Sequence, residues 1–117
     1  MVDRLGRNPE YSYELIKTEM DDKGMGIMTV TLNRPEKRNA FIPQWHAELI
    51  DIWGKVHMDD RVRCVIFTGA GKAFCAGGDV AAFAAAKQDP MDKTLNWLRD
   101  VKTTVTKIME CDKPIIA

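Results

Sequence analysis

Val65–Asp79 reads VIFTGAGKAFCAGGD, and Val80–Lys87 continues VAAFAAAK. A compact apolar run ends at Gly69, small residues follow, and an Ala-rich stretch opens just after Asp79. This predicts a strand, a loop and a helix, with Asp79 as the N-cap. Glycine has no Cβ, so Gly77 and Gly78 permit positive φ and let another group come close to the backbone. Two readings follow from the spacing. The glycines serve a tight strand-to-helix connection, or they bare a peptide N–H beside a helix start, where negative charge developing on an oxygen can be held.

Neither familiar phosphate-binding glycine pattern fits the loop. In G-x-x-x-x-G-K-[S/T], Gly71-Lys72 would fill the sixth and seventh positions, but Ile66 occupies the first and Ala73 the last. In G-x-G-x-x-G starting from Gly69 and Gly71, Phe74 takes the final position. Cys75 has no ligand partner at motif spacing, so no metal site is expected.

Outward from the loop, the periodicity predicts the remaining elements. Tyr11, Tyr13 and Leu15 alternate along YSYELIKTEM, and Met28, Val30 and Leu32 alternate along IMTVTLN; DDKG lies between them. The two runs predict a hairpin that stops at Arg34-Pro35. A helix is expected over 43–57, opened by Pro43, with Trp45, Leu49, Ile52, Trp53 and Val56 inward. Its other face carries Gln44, Glu48, Asp51 and Lys55. Glu48, Asp51, Asp59 and Asp60 are expected to be solvated, as are His46 and His57. The run VRCVIFTG predicts a strand buried between helical layers. A short helix should end before Pro90, and a second should run over 91–111 with Leu95, Leu98, Val101, Val105 and Ile108 as its apolar stripe. A last strand starts at Pro114. The ββα order predicts an α/β fold.

The 117 residues are one domain's worth of chain, or part of a larger domain. Lys and Arg number 17, Asp and Glu also 17, so the net charge of zero argues against a nucleic-acid partner. No apolar run approaches a membrane span, and residues 1–10 read as a flexible polar leader rather than a signal peptide. Three cysteines, an odd count without framework spacing, point to reduced thiols and a cytoplasmic location. The apolar end at Ile115-Ile116-Ala117 reads as a fold cut short after its last strand begins.

LNRPEKRNAF (Leu32–Phe41), then a helix, then VIFTGAGKAFCAGGD, then KPIIA closely resemble the N-terminal half of the enoyl-CoA hydratase/isomerase, or crotonase, superfamily. The resemblance spans about Ile27 to Ala117 and joins two separated motifs in the correct order. It implies a spiral of ββα repeats and a substrate in which coenzyme A is esterified to an acyl group, with no other cofactor. It implies that the Gly78 N–H is one of two backbone donors that polarise the thioester carbonyl. Ala76, Gly77, Gly78, Asp79 and Val80 would line the acyl-CoA path, and Lys37 with the backbone near Arg38 and Ala40 would meet the CoA nucleotide. For Lys37 and Arg38 an ordinary solvated loop is the alternative. Phe83 would face the acyl pocket or serve the core.

The family's second donor and proton-moving acids come from beyond the strand that KPIIA opens. The piece by itself is therefore expected to be inactive, and its parent to be a hydratase- or isomerase-like enzyme that forms trimers or hexamers. A thioester hydrolase of the same family, or a non-catalytic CoA-binding module, are the alternatives.

Overall fold

The computed structural model describes residues 8–86 and 90–117. Most of the expected leader, residues 1–7, lies outside the described residues, as do residues 87–89 at the expected end of the short helix. A four-stranded sheet, β1 (Ile16–Met20), β2 (Ile27–Leu32), β3 (Cys64–Gly69) and β4 (Ile115–Ile116), carries three helices: α1 (Pro43–Met58), α2 (Val80–Ala86) and α3 (Met91–Glu110). Spatial order follows chain order, with β1 antiparallel to β2 and the other pairs parallel. Parallel pairing needs a crossover, which α1 supplies between β2 and β3, and α2 and α3 between β3 and β4.

The core lies between β2 and α1. Met28, Val30 and Leu32 share one face of β2 because side chains alternate along a strand, and Trp45, Leu49, Ile52, Trp53 and Val56 form the inner stripe of α1. All are essentially solvent-free, as is Val65 of β3. Each such side chain contributes roughly 1.5–3 kcal/mol of transfer free energy.

Three expectations need correction. Tyr11, Tyr13 and Leu15 precede β1 instead of belonging to it. Their alternation reflects a segment laid along α1: Tyr11 Oη donates to Asp59 at 2.8 Å, Tyr13 Oη donates to Asp51 at 2.7 Å, and the Leu15 N–H donates to Glu48 at 3.0 Å. Asp59 is correspondingly not a solvated loop residue. It is fully buried, and its carboxylate also accepts from the Arg61 guanidinium and main-chain N–H. Although burial opposes ionisation, the bonds from Arg61 and Tyr11 prevail and hold its pKa below the usual carboxylate value. Glu48 too is half-buried, holding the chain that leads into β1. Finally, β3 is covered on one face: Val65 is buried while Ile66 is 40% exposed.

The α3 helix has the expected stripe, yet none of its residues is buried, and Leu95, Leu98 and Val105 remain about half exposed. Ile108 alone of the stripe packs against the core cluster.

Candidate acyl-thioester site

The two motifs meet at the ends of β2 and β3. After β2, a single 3-10 turn (Pro35–Lys37) leads to Arg38 and Asn39, both left-handed at φ 51° and 55°. Asparagine tolerates this region better than most residues. Asn39 is wholly buried and joins the two loops: its Oδ1 accepts from the Arg34 N–H at 2.8 Å, and its Nδ2 donates to the carbonyls of Ala70 at 3.0 Å and Ala73 at 2.8 Å. Gly69 is the price of this approach. A Cβ there would run into the Ala73 and Phe74 carbonyls and the Asn39 amide.

Further along, the loops are joined through the main chain. Ala76 N–H donates to Arg38 O at 3.0 Å, Phe41 N–H to Gly77 O at 2.7 Å, and Asp79 N–H to Phe41 O at 2.9 Å. This ladder steps over Gly78. Among the described residues no acceptor takes the Gly78 N–H, and the residue is exposed. Gly77 holds φ at 95°, a region that glycine alone adopts readily.

Asp79 caps α2 as expected, its Oδ1 accepting from the Ala82 N–H at 3.1 Å. Its other oxygen receives the Arg34 guanidinium at 2.8 Å, and the same Nη1 donates to Ala40 O at 3.0 Å. The Arg34 hydrogen bond, helped by the cap, holds the Asp79 carboxyl below its usual pKa. Arg34 and Asn39 are the residues that sequence reasoning missed. The left-handed preference of asparagine in RNAF was an available signal for one of them; Arg34 stood inside the LNRPEKRNAF motif with no role attached to it.

The expected site residues are thus brought to one surface. Ala76, Gly77, Gly78 and Val80 are exposed, with half-buried Asp79 between the last two; Ala40 O accepts from the Arg34 guanidinium, and Lys37 and Arg38 are exposed on the neighbouring loop. Phe83 is 45% exposed, with its ring against the Gly78 Cα so closely that a Cβ at 78 would meet it. It also lines a cleft of about 490 Å³ together with Phe41, Asp79 and Trp97; Gly78 itself does not line this cleft. Cys75, Cys64 and Cys111 are free thiols. No helix among the described residues is long and apolar enough to cross a membrane.

His46 was expected in solvent and is instead 6% exposed. It stacks on Phe41 with centroids 5.4 Å apart, meets Trp97 edge-on at 6.5 Å, and places Nδ1 3.1 Å from Thr104 Oγ1. Because Thr104 donates its hydroxyl proton to Asp100 O, it accepts from His46, which makes Nδ1 the protonated nitrogen of a neutral ring. Burial lowers the His46 pKa against a weaker upward pull from Asp100. The unfolded chain therefore takes up this proton first as pH falls. The stability contribution is complete above about pH 6.5 and is lost below it, with a slope of at most about 1.4 kcal/mol per pH unit. Urea unfolding at pH 7.5 and 5.5 should show the loss in wild type and a smaller one in His46→Gln. Equal losses in both would remove His46 as its source.

The sequence profile that matches this chain, over residues 22–117, is that of the enoyl-CoA hydratase/isomerase family. The chain is 38% identical to 1,2-epoxyphenylacetyl-CoA isomerase of Escherichia coli K12, over 78% of this chain and 35% of that protein. It is 36% identical to human mitochondrial Delta(3,5)-Delta(2,4)-dienoyl-CoA isomerase, over 97% of this chain and 36% of that one. A crystal structure of a putative enoyl-CoA hydratase from Streptomyces coelicolor A3(2) superposes with a TM-score of 0.83 at 30% identity, over 98% of this chain and 42% of its own. The chain thus spans little more than a third of the curated relatives it matches. With the ββα order, the joined loops and the profile in agreement, the fold is crotonase-like and the chain belongs to the enoyl-CoA hydratase/isomerase family.

Proposed function

We propose that this chain supplies the thioester-binding half of an acyl-CoA enzyme of the hydratase/isomerase type, with the Gly78 N–H as one donor to the thioester oxygen. The observation that carries the reading is the main-chain ladder between the two loops, which steps over that N–H and leaves it without an acceptor among the described residues. A donor held this way needs no reorganisation as the carbonyl oxygen gains charge, and electrostatic stabilisation of this kind commonly contributes more than any other effect to such catalysis. Polarising the carbonyl acidifies the neighbouring C–H, so proton transfer to and from an enolate is the chemistry the donor serves. The two curated relatives named above are isomerases, which supports this class.

Lys37 and Arg38 would hold the CoA phosphates, beside the Ala40 backbone, while Ala76, Gly77, Asp79 and Val80 border the ester. The negative charge of Asp79 is committed to Arg34 and the α2 cap, and that of Asp59 to Arg61 and Tyr11. Neither is assigned a proton-moving role; by the family resemblance the acid, the base and the second donor would come from beyond the strand that opens at Pro114. Assembly into trimers or hexamers belongs to the same proposal.

The test is an assay of enoyl-CoA hydration and isomerisation by the full-length protein that carries this chain. Lys37 is exposed, so its charge is screened. Lys37→Ala should raise KM by up to about fivefold and leave kcat within twofold. A fall in kcat at unchanged KM would displace Lys37 from the nucleotide, and a folded protein that binds neither CoA nor its esters would overturn the whole reading.

A further inference from the structure

We propose that the cleft between α1, α2 and α3 takes a ring-bearing acyl group in preference to a linear one, with Trp97 and Phe83 setting the choice; this rests on the thioester reading of Gly78. Phe83 is the connection, since one ring both covers the Gly78 Cα and forms part of the cleft wall. An ester whose oxygen reached the Gly78 N–H would therefore meet Phe83 within its first few carbons.

Beyond Phe83 one side of the cleft is aromatic, backed by a chain of ring contacts, while Lys93, Thr94, Asn96 and Asp100 of α3 supply polar groups at the rest of the lining. Phe83 meets Trp97 edge-on with centroids 5.3 Å apart, Trp97 meets His46, and His46 stacks on Phe41, which lines the cleft again. The space, about 490 Å³, is within the range of small-molecule clefts and exceeds what a two- to four-carbon acyl group fills. Aromatic rings prefer the edges and faces of other rings beyond what apolar burial supplies, by roughly two- to tenfold in affinity per pair. A linear chain gains burial alone. Trp97 is half-buried on a helix that has no buried residue, so its ring is not required by the core.

Isothermal titration of the protein with CoA, 3-phenylpropanoyl-CoA and nonanoyl-CoA tests this, because the two acyl groups have equal carbon counts. We expect the phenyl ester to bind about tenfold tighter than the linear one. Trp97→Leu and, separately, Phe83→Leu should reduce that ratio toward one while leaving affinity for CoA unchanged, with circular dichroism confirming fold. Equal binding of the two esters, tighter binding of nonanoyl-CoA, or an undiminished ratio in both variants would overturn the proposal and leave the thioester reading intact. Failure of CoA and both esters to bind would overturn both.

Discussion

Asn39→Ala is expected to lower the unfolding free energy by at least about 3 kcal/mol, among the largest effects of any single polar substitution here. Three main-chain groups lose their partner at once: the Arg34 N–H and the carbonyls of Ala70 and Ala73. Each group left unsatisfied in a buried setting costs roughly 1–3 kcal/mol, and Ala70 and Ala73, being half-buried, fall toward the lower end. Alanine at φ 55° adds about 1–2 kcal/mol of backbone strain.

The variants at this position separate the two contributions. Asn39→Gly removes the strain but not the lost bonds, so it should be about 1 kcal/mol milder than alanine. Asn39→Asp keeps an acceptor for Arg34 but turns a carboxylate oxygen toward two carbonyls, and should be no better than alanine. Urea unfolding measures all three. Hydrogen exchange should quicken across 69–79, because the glycine loop is held to the preceding motif through this side chain. An Asn39→Ala protein within about 0.5 kcal/mol of wild type would mean that water replaces the amide at little cost.

What could be read from the residues, and what could not, divides by range. The α1 stripe and the β2 face are local periods, and the positions that repeat are the ones buried. The glycine loop was legible as backbone, because so few side chains remain in CAGGD. Tyr11 and Tyr13 misled because alternation fits a segment crossing a helix as well as it fits a strand, and the deciding bond to Asp59 spans 48 residues. His46 misled for a related reason. Its neighbours on α1 gave no sign that Trp97 and Thr104 of α3 close over it, the hydrogen bond to Thr104 spanning 58 residues. Arg34 and Asn39 act by reaching loops more than 30 residues distant, and no spacing rule encodes a contact of that kind.

In the full-length protein that carries this chain, Gly78→Pro is expected to lower kcat by a factor of about 10²–10³, the usual cost of removing one oxyanion donor. The substitution deletes the N–H while sparing the flanking ladder, whose bonds run from Phe41 to Gly77 and from Asp79 to Phe41. Gly78 is not among the positive-φ residues, so a side chain there meets no left-handed strain. The obstacle is Phe83, whose ring occupies the place of the missing Cβ. Gly78→Ala alone should therefore disturb activity even though it keeps the donor. The comparison is cleaner in a Phe83→Ala background, where the collision is gone. There Gly78→Ala should approach the activity of Phe83→Ala itself, while Gly78→Pro should remain about 10²–10³-fold below it in kcat. Steady-state kinetics on whichever acyl-CoA ester the protein turns over, with circular dichroism on each variant, decides the matter. If alanine and proline at 78 gave kcat values within about threefold of each other in that background, the collision with Phe83 would account for the glycine, and the N–H would have no part in the chemistry.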